Sequence, residues 1–144
     1  MYGPLISGYA SLFNVEDGAG DRVVPGAFRK SLTGRSISRI AMLWQHDQSR
    51  PIGRWEQIYE DRRGLRVVGR LVMDTALGRE AAALMKAGAL SGLSIGFQAR
   101  KARRPLNKSN RNTRLLTEID LWEVSLVTFP QADGARARLL TSTV

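Results

Sequence analysis

The chain carries a single histidine and no cysteine, which narrows the chemistry that it can perform. Without a thiol, a cysteine nucleophile, a disulfide and a thiolate metal site are all excluded. One imidazole also excludes a metal centre built from several histidines. We therefore predict that the chain uses neither a metal nor another cofactor. A hydroxyl nucleophile with a base that activates it is a combination that the composition still allows.

The histidine, His46, stands at the end of an apolar run of strand length, residues 39–46 (RIAMLWQH), and Asp47 begins a turn after it. A side chain at such a position is held rigidly by the strand and can still meet a substrate. A lone histidine is more often structural than catalytic. The position makes His46 a candidate general base and no more.

The candidate nucleophile is Ser94, in the run GLSIGF of residues 92–97. Strand alternation places Ser94 and Gly96 on one face and the apolar neighbours on the other. We expect the two glycines to leave the serine face open to a substrate or another backbone. Ordinary strands also contain such serines, this is not the G-x-S-x-G elbow of α/β-hydrolases, and Ser91 in the preceding turn is a competing nucleophile.

An acid lies in a third apolar segment, residues 120–127 (DLWEVSLV), where alternation places Glu123 and Ser125 on the face opposite the apolar side chains. A carboxylate in so apolar a strand needs a partner. That partner is either an arginine or His46, which the carboxylate would orient and whose imidazolium it would stabilise. If an arginine holds Glu123, Ser125 is the substitute orienting group. The apolar faces of the serine and acid strands are predicted to form the core: Leu93, Ile95, Phe97, Trp122, Val124 and Leu126.

The elements that must position these groups are mostly strands. A chain of 144 residues has the usual length of a single domain, here residues 1–144. The pattern predicts strands over residues 5–13, 39–46, 52–59, 65–73, 93–100 and 114–129, a turn over 14–21, and helices over 25–32 and 75–87, the second with Leu77, Ala81, Leu84 and Met85 on its core face. We predict a closed or nearly closed antiparallel β-barrel, because closure removes exposed strand edges.

The formal net charge of +9 is concentrated in residues 100–114, which hold many lysines and arginines, no acid and no aromatic residue. We interpret this segment as a solvated loop, with docking of an acidic partner as the alternative. The tail, residues 131–144, is polar and basic. Nucleic-acid binding is disfavoured, because stacking needs exposed aromatic side chains, and Phe97, Trp122 and Phe129 are predicted to be buried.

We expect no signal peptide, and no apolar run approaches the ~20 residues that cross a bilayer. We therefore expect no membrane association and an intracellular location.

The succession SGYASLFN, GDRVVPGAFRKSL, MLWQHD, PIGRW, GLRVVGRL, ALMKAGALSGLSIGF and TEIDLWEVSLVTFP resembles the prohead (capsid maturation) protease family of tailed phages. The blocks occur in the family's order from about residue 7 to residue 130. LWQHD, GLSIGF and LWEVSLVTFP together are specific, although none of them is specific alone.

The resemblance implies a β-barrel of the herpesvirus assemblin type and a serine endopeptidase that acts inside the immature capsid in the host cytoplasm. Its substrates would be the scaffold segment of the major capsid protein or a separate scaffold protein, and also the protease itself; a homo-oligomer is compatible with it. By motif, His46 is the base and Ser94 the nucleophile. Assemblins use a second histidine as the third member, which this chain lacks, so Glu123 is assigned that role.

In this mechanism His46 accepts the proton of Ser94 as the serine attacks the scissile carbonyl, and then protonates the leaving amine. Backbone N–H groups near Gly96 or in residues 100–104 are the candidate oxyanion donors. The rival interpretation is a non-catalytic basic β-barrel that binds nucleic acid or capsid protein. A third is a protease fold whose activity has been lost.

Overall fold

The computed structural model describes residues 3–105 and 113–140. They form eight strands, two α-helices and a short 3-10 helix over Ile37–Arg39. The elements are β1 (Leu5–Leu12), β2 (Asp21–Val23), α1 (Arg29–Gly34), β3 (Ala41–Trp44), β4 (Asp47–Glu60), β5 (Gly64–Leu71), α2 (Ala76–Lys86), β6 (Gly92–Arg103), β7 (Arg114–Val127) and β8 (Ala137–Leu140). The prediction of a mostly β domain with few helices is confirmed.

All eight strands belong to one sheet in the order β2-β7-β3-β4-β5-β1-β8, and β6 pairs with the other edge of β7. The long strand β7 therefore lies at the centre of the site region. It pairs with β6 in antiparallel fashion, while β2 and β3 run parallel to successive parts of its opposite edge. The histidine strand and the serine strand are thus held on either side of the strand that carries the acid.

The predicted closed antiparallel barrel needs two corrections. The pairs of β7 with β2 and β3 are parallel, so the sheet is mixed. No continuous ladder joins the end strands among the described residues; β6 meets the residue before β8 only through an isolated bridge between Gly92 and Arg136. Two strands were not predicted: β2 begins at the end of the predicted turn, and β8 lies in the polar tail. Both are too short for periodicity to indicate.

The core follows the predicted alternation except at one position. Leu93, Val124 and Leu126 are buried, whereas Trp122 is 47% exposed. A β-bulge explains the difference, because Glu123 pairs with Gly96 while Leu121 pairs with Phe97, which leaves Trp122 as an extra residue. Leu121 consequently takes the core position. Ile95 and Phe97 are only partly buried and pack against the core.

The predicted helix over residues 75–87 is confirmed as α2. Thr75 caps it by accepting a hydrogen bond from the Gly78 N–H (2.9 Å), and Gly88, at φ +78°, follows its end. Leu84 was predicted on the core face but is 38% exposed. The first helix begins later than predicted, since Gly26 has a φ of +89° that a right-handed helix cannot contain.

The basic segment over residues 100–114 is only partly a loop. Strand β6 continues to Arg103 and β7 begins at Arg114, while residues 106–112 lie outside the described residues. Among the described residues, no helix is long and apolar enough to span a bilayer.

The exposed Trp122 is anchored by Asp120, which accepts hydrogen bonds from the indole N–H (2.9 Å), from Arg100 (2.9 Å) and from Arg35 (3.0 Å). The indole hydrogen bond above all, with the two guanidinium groups, lowers the pKa of Asp120. A carboxyl group whose pKa is lower in the folded state stabilises the fold above its unfolded pKa of about 3.9, and this stability is lost as the pH falls through the folded pKa.

We therefore expect Asp120→Asn to destabilise the protein by a constant amount from pH 7 to about pH 5, with the difference shrinking below about pH 4. Urea unfolding of both proteins between pH 3 and pH 7 measures it. Asp133→Asn is the matched control, because the Asp133 side chain is fully exposed. A deficit that stayed constant down to pH 3 would contradict the assignment.

Candidate active site

His46 lies in a two-residue turn between β3 and β4, where Trp44 pairs with Asp47. Both turn residues, Gln45 and His46, have positive φ, 52° and 60°. This is the backbone of a type I′ hairpin turn. For residues other than glycine it costs roughly 1–3 kcal/mol each, a strain that proteins hold at functional sites when the surroundings compensate.

Four hydrogen bonds to β7 and the residue just after it hold this turn. The N–H of Gln45 donates to the carbonyl of Leu126 (2.8 Å). The side-chain amide of Gln45 donates to the hydroxyl of Thr128 (2.8 Å) and accepts from the Thr128 N–H (3.1 Å). The N–H of His46 donates to Ser125 Oγ (3.2 Å). The orientation of the imidazole is therefore set from β7.

The imidazole Nδ1 of His46 is hydrogen-bonded to Oε1 of Glu123, and Ser125 Oγ donates to the same oxygen (2.9 Å). Glu123 is only 9% exposed and forms no ion pair with a lysine or arginine of the described residues. The alternative that an arginine holds this carboxylate is thus wrong. With the Nδ1 proton donated to the carboxylate, Nε2 keeps the lone pair that can accept a proton.

The carboxylate fits because the residue opposite it has no side chain. Gly96 pairs directly with Glu123, and a Cβ at Gly96 would lie 2.4 Å from Cγ and 2.6 Å from Cδ of the glutamate. We had expected this glycine to leave the face open to a substrate. Instead, its space holds the acid that contacts His46.

Gly96→Ala should therefore displace the Glu123 side chain from His46 and lower kcat/KM of any acyl transfer at this site by about 10²-fold, the cost that a misplacement of about 1 Å can have in a catalytic group. The rate is measured beside the unfolding midpoint, so that lost activity can be separated from lost structure. Gly34→Ala is the matched control, because a Cβ there would meet nothing within 4 Å. A Gly96→Ala protein that kept the wild-type rate would show that Glu123 takes no part in the reaction.

Ser94 on β6 lies directly opposite Ser125 on β7. Directly opposed side chains share a face, with Cβ atoms about 4.5–5.5 Å apart. Since Ser125 contacts both the backbone of His46 and the Glu123 carboxylate, Ser94 lies beside the histidine–glutamate pair. Among the described residues no hydrogen bond joins Ser94 to His46. Such contacts are often long before a substrate binds.

The face around Ser94 is less open than predicted, since Ser94 is only 5% exposed. The segment after β7 folds over the start of β6. The N–H of Leu93 donates to the carbonyl of Ala135 (2.8 Å), and a Cβ at Gly92 would lie 2.8 Å from Pro130 Cδ. A cavity of ≈ 50 Å³ with a mostly apolar lining remains beside Ser94.

Two neighbouring polar residues, Ser91 and Asp47, form hydrogen bonds with groups other than the imidazole. The hydroxyl of Ser91, the competing nucleophile, accepts a hydrogen bond from Arg136 (3.1 Å). The carboxylate of Asp47 accepts from the hydroxyl and the N–H of Ser49 (2.6 and 2.9 Å), which lowers the pKa of Asp47. Neither Ser91 nor Asp47 contacts the imidazole. Within the described ranges, no three histidine or acidic side chains come close enough to hold a metal ion.

A serine on β6, a buried carboxylate on β7 and a histidine in the turn after β3 can together perform nucleophilic acyl transfer. The family model described as caudovirus prohead serine protease matches residues 2–144. The chain belongs to this family. The prohead protease of Enterobacteria phage HK97 is 33% identical over 132 residues, covering 91% of this chain and 57% of that relative. The chain thus spans somewhat over half the length of that prohead protease.

Solved structures with the same fold include viral proteases from two kinds of virus. KSHV protease, solved with a hexapeptide phosphonate inhibitor, aligns with a TM-score of 0.67 at 13% identity over 97% of this chain and 66% of its own. The bacteriophage T4 capsid assembly protease aligns with a TM-score of 0.67 at 14% identity over 85% of this chain and 80% of its own. These likenesses confirm an assemblin-type fold for this prohead protease family member.

Sequence reasoning missed the residues that hold the histidine turn. Ser125 was considered only as a substitute for Glu123, whereas it contacts the carboxylate and the backbone of His46 together. Gln45 and Thr128 were not predicted at all. Gln45 adjoins the histidine, and that was the available signal. Its partner lies on a distant strand end, which no local pattern indicates.

Proposed function

We propose that the chain is a serine endopeptidase in which Ser94 is the nucleophile, His46 the general base and Glu123 the residue that orients the base. The observation that carries this proposal is the contact of His46 Nδ1 with a buried carboxylate on the strand that places Ser125 opposite Ser94. This arrangement leaves Nε2 of the only histidine in the chain to take the serine proton.

In the first step Ser94 Oγ attacks the scissile carbonyl while Nε2 of His46 accepts its proton, and Glu123 stabilises the imidazolium. His46 then protonates the leaving amine, and water repeats the sequence on the acyl-enzyme. Backbone N–H groups of β6 near Gly96 are the proposed oxyanion donors. Residues 100–104 are poor donors, since Arg100 lies on β6 about 20 Å along the strand from Ser94.

The proposed substrates are the scaffold segment of the major capsid protein or a separate scaffold protein, with self-cleavage as a further reaction. Family membership and the HK97 relative support this assignment. The reaction would take place in the immature capsid within the host cytoplasm, with no cofactor. A homo-oligomer is compatible with the proposal.

Coexpression with the cognate major capsid protein tests the function. We expect wild-type protease to yield a shortened capsid protein with one new N-terminus, identified by mass spectrometry, and Ser94→Ala to yield the full-length protein. Capsid protein that stays intact beside folded wild-type protease would refute the proposal.

A binding module for nucleic acid is the second candidate, because the aromatic burial predicted against it is wrong at two positions. Trp122 is 47% exposed and Phe129 is 88% exposed, and Arg100 shares the Asp120 carboxylate with Trp122. Retention of a single-stranded oligonucleotide between 50 and 200 mM salt, with Trp122→Ala as the control, distinguishes this function.

A further inference from the structure

A second cavity, of ≈ 270 Å³, lies between α1 and the outer face of the β6–β7 pair. Its polar lining is formed by charged side chains from three elements. These charged residues are Lys30, Arg35, Arg100, Glu118 and Asp120. Ser31, which also lines it, ties α1 to the sheet by accepting a hydrogen bond from the Leu121 N–H (2.9 Å). The cavity walls are therefore fixed to the same strand that carries Glu123.

Each carboxylate in this cavity is shared by two cations. Glu118 lies 3.2 Å from Lys30 Nζ and 3.9 Å from Lys101 Nζ. Asp120 lies 3.0 Å from Arg35 and 2.9 Å from Arg100. The acids are largely buried, while Lys30, Lys101 and Arg100 are largely exposed. The carboxylates thus hold the cations in place, and an excess of positive charge faces the solvent.

The cavity shares a face with the candidate active site. Alternation along β6 places Ser94, Gly96 and Gln98 on one side of the sheet. Arg100 reaches the same side, since it bonds Asp120, the residue opposite Gln98. The bulged Trp122 lies between the candidate active site and the cavity, since it is adjacent to Glu123 in the chain and donates a hydrogen bond to Asp120. A peptide extended over this face would pass from Ser94 across Trp122 to the cavity, about 20 Å away at ~3.3 Å per residue.

We propose that this cavity binds the carboxylate of an aspartate or glutamate of the peptide substrate, several residues from the scissile bond. The inference rests on the proposed peptidase function and specifies its substrate. The guanidinium of Arg100 is the principal ligand, because it is more exposed than that of Arg35 and Asp120 already holds it in place. Discrimination comes from charge at a site remote from the reacting atoms, so it acts on the binding of the substrate.

The test uses synthetic peptides of sixteen residues centred on the bond cleaved in the cognate capsid protein. Each acidic residue is replaced in turn by its amide, and kcat/KM is measured with wild type, Arg100→Gln and Arg103→Gln. Arg103 lies on the same strand and does not line the cavity, so it is the matched control. We expect the amide replacement at one acidic position to lower kcat/KM roughly tenfold with wild type and with Arg103→Gln. The same replacement should change kcat/KM much less with Arg100→Gln.

Fluorescence anisotropy of the same peptides, labelled and mixed with Ser94→Ala protein, measures peptide binding without cleavage. Peptide binding that depends on the acidic position and on Arg100 supports the proposal that the cavity binds an acidic side chain. If wild type then cleaves no peptide, only the proposed peptidase function fails. Cleavage without any acidic position coupled to Arg100, or the absence of both binding and cleavage, overturns the inference.

Discussion

Ser94→Ala is expected to lower kcat/KM for the capsid peptide by about 10³-fold or more while leaving the fold unchanged. Only the residual rate from substrate binding and oxyanion stabilisation survives the loss of a triad nucleophile. The Ser94 hydroxyl donates to no partner in the described part of the chain, so its removal leaves no acceptor unsatisfied. Stopped assays with purified peptide and a urea unfolding curve measure the two quantities.

Ser91→Ala is the control for this experiment, because Ser91 lies near the start of the same strand and its hydroxyl contacts Arg136. It should keep most of the wild-type rate. Should Ser91→Ala be inactive and Ser94→Ala active, the nucleophile has been assigned to the wrong serine.

His46→Asn should cause a comparable loss, about 10³-fold or more in kcat/KM, because no other imidazole can accept the serine proton. Asparagine suits the test, since it tolerates the positive φ that the turn requires at this position.

Asp47→Asn is the control, because that neighbouring carboxylate bonds Ser49 and does not contact the ring. A His46→Asn protein that cleaved at the wild-type rate would end the serine–histidine mechanism.

Local pattern placed Ser94 and Glu123 on their strands, whereas His46, predicted to end a strand over residues 39–46, lies in the turn after β3. Alternation correctly put Glu123 and Ser125 on one face, since a strand has a strict period of two residues. The pairing of β7 with the histidine turn was not available from any window of sequence. It depends on β3 and β7 running parallel, with their residues roughly eighty positions apart in the chain.

Two of the errors arise from features that local periodicity does not register, an extra residue in one strand and a segment that returns over another. The bulge at Trp122 shifts the alternation of β7 by one, so a residue predicted in the core is exposed. The segment after β7 returns over the start of β6, so the face around Ser94 is less open than predicted. Glycine at residue 96 signalled a close approach, but a glutamate and not a substrate makes it.

The three partners of β7 have a kinetic consequence. A chain emerges from the ribosome N-terminus first, so the strand that holds the His46 turn, orients its ring and lies opposite Ser94 is made after both of these residues. Contacts of such long sequence separation form late and slowly. The histidine and the serine therefore remain unconnected until β7 has been made and has paired with the strands on both of its edges.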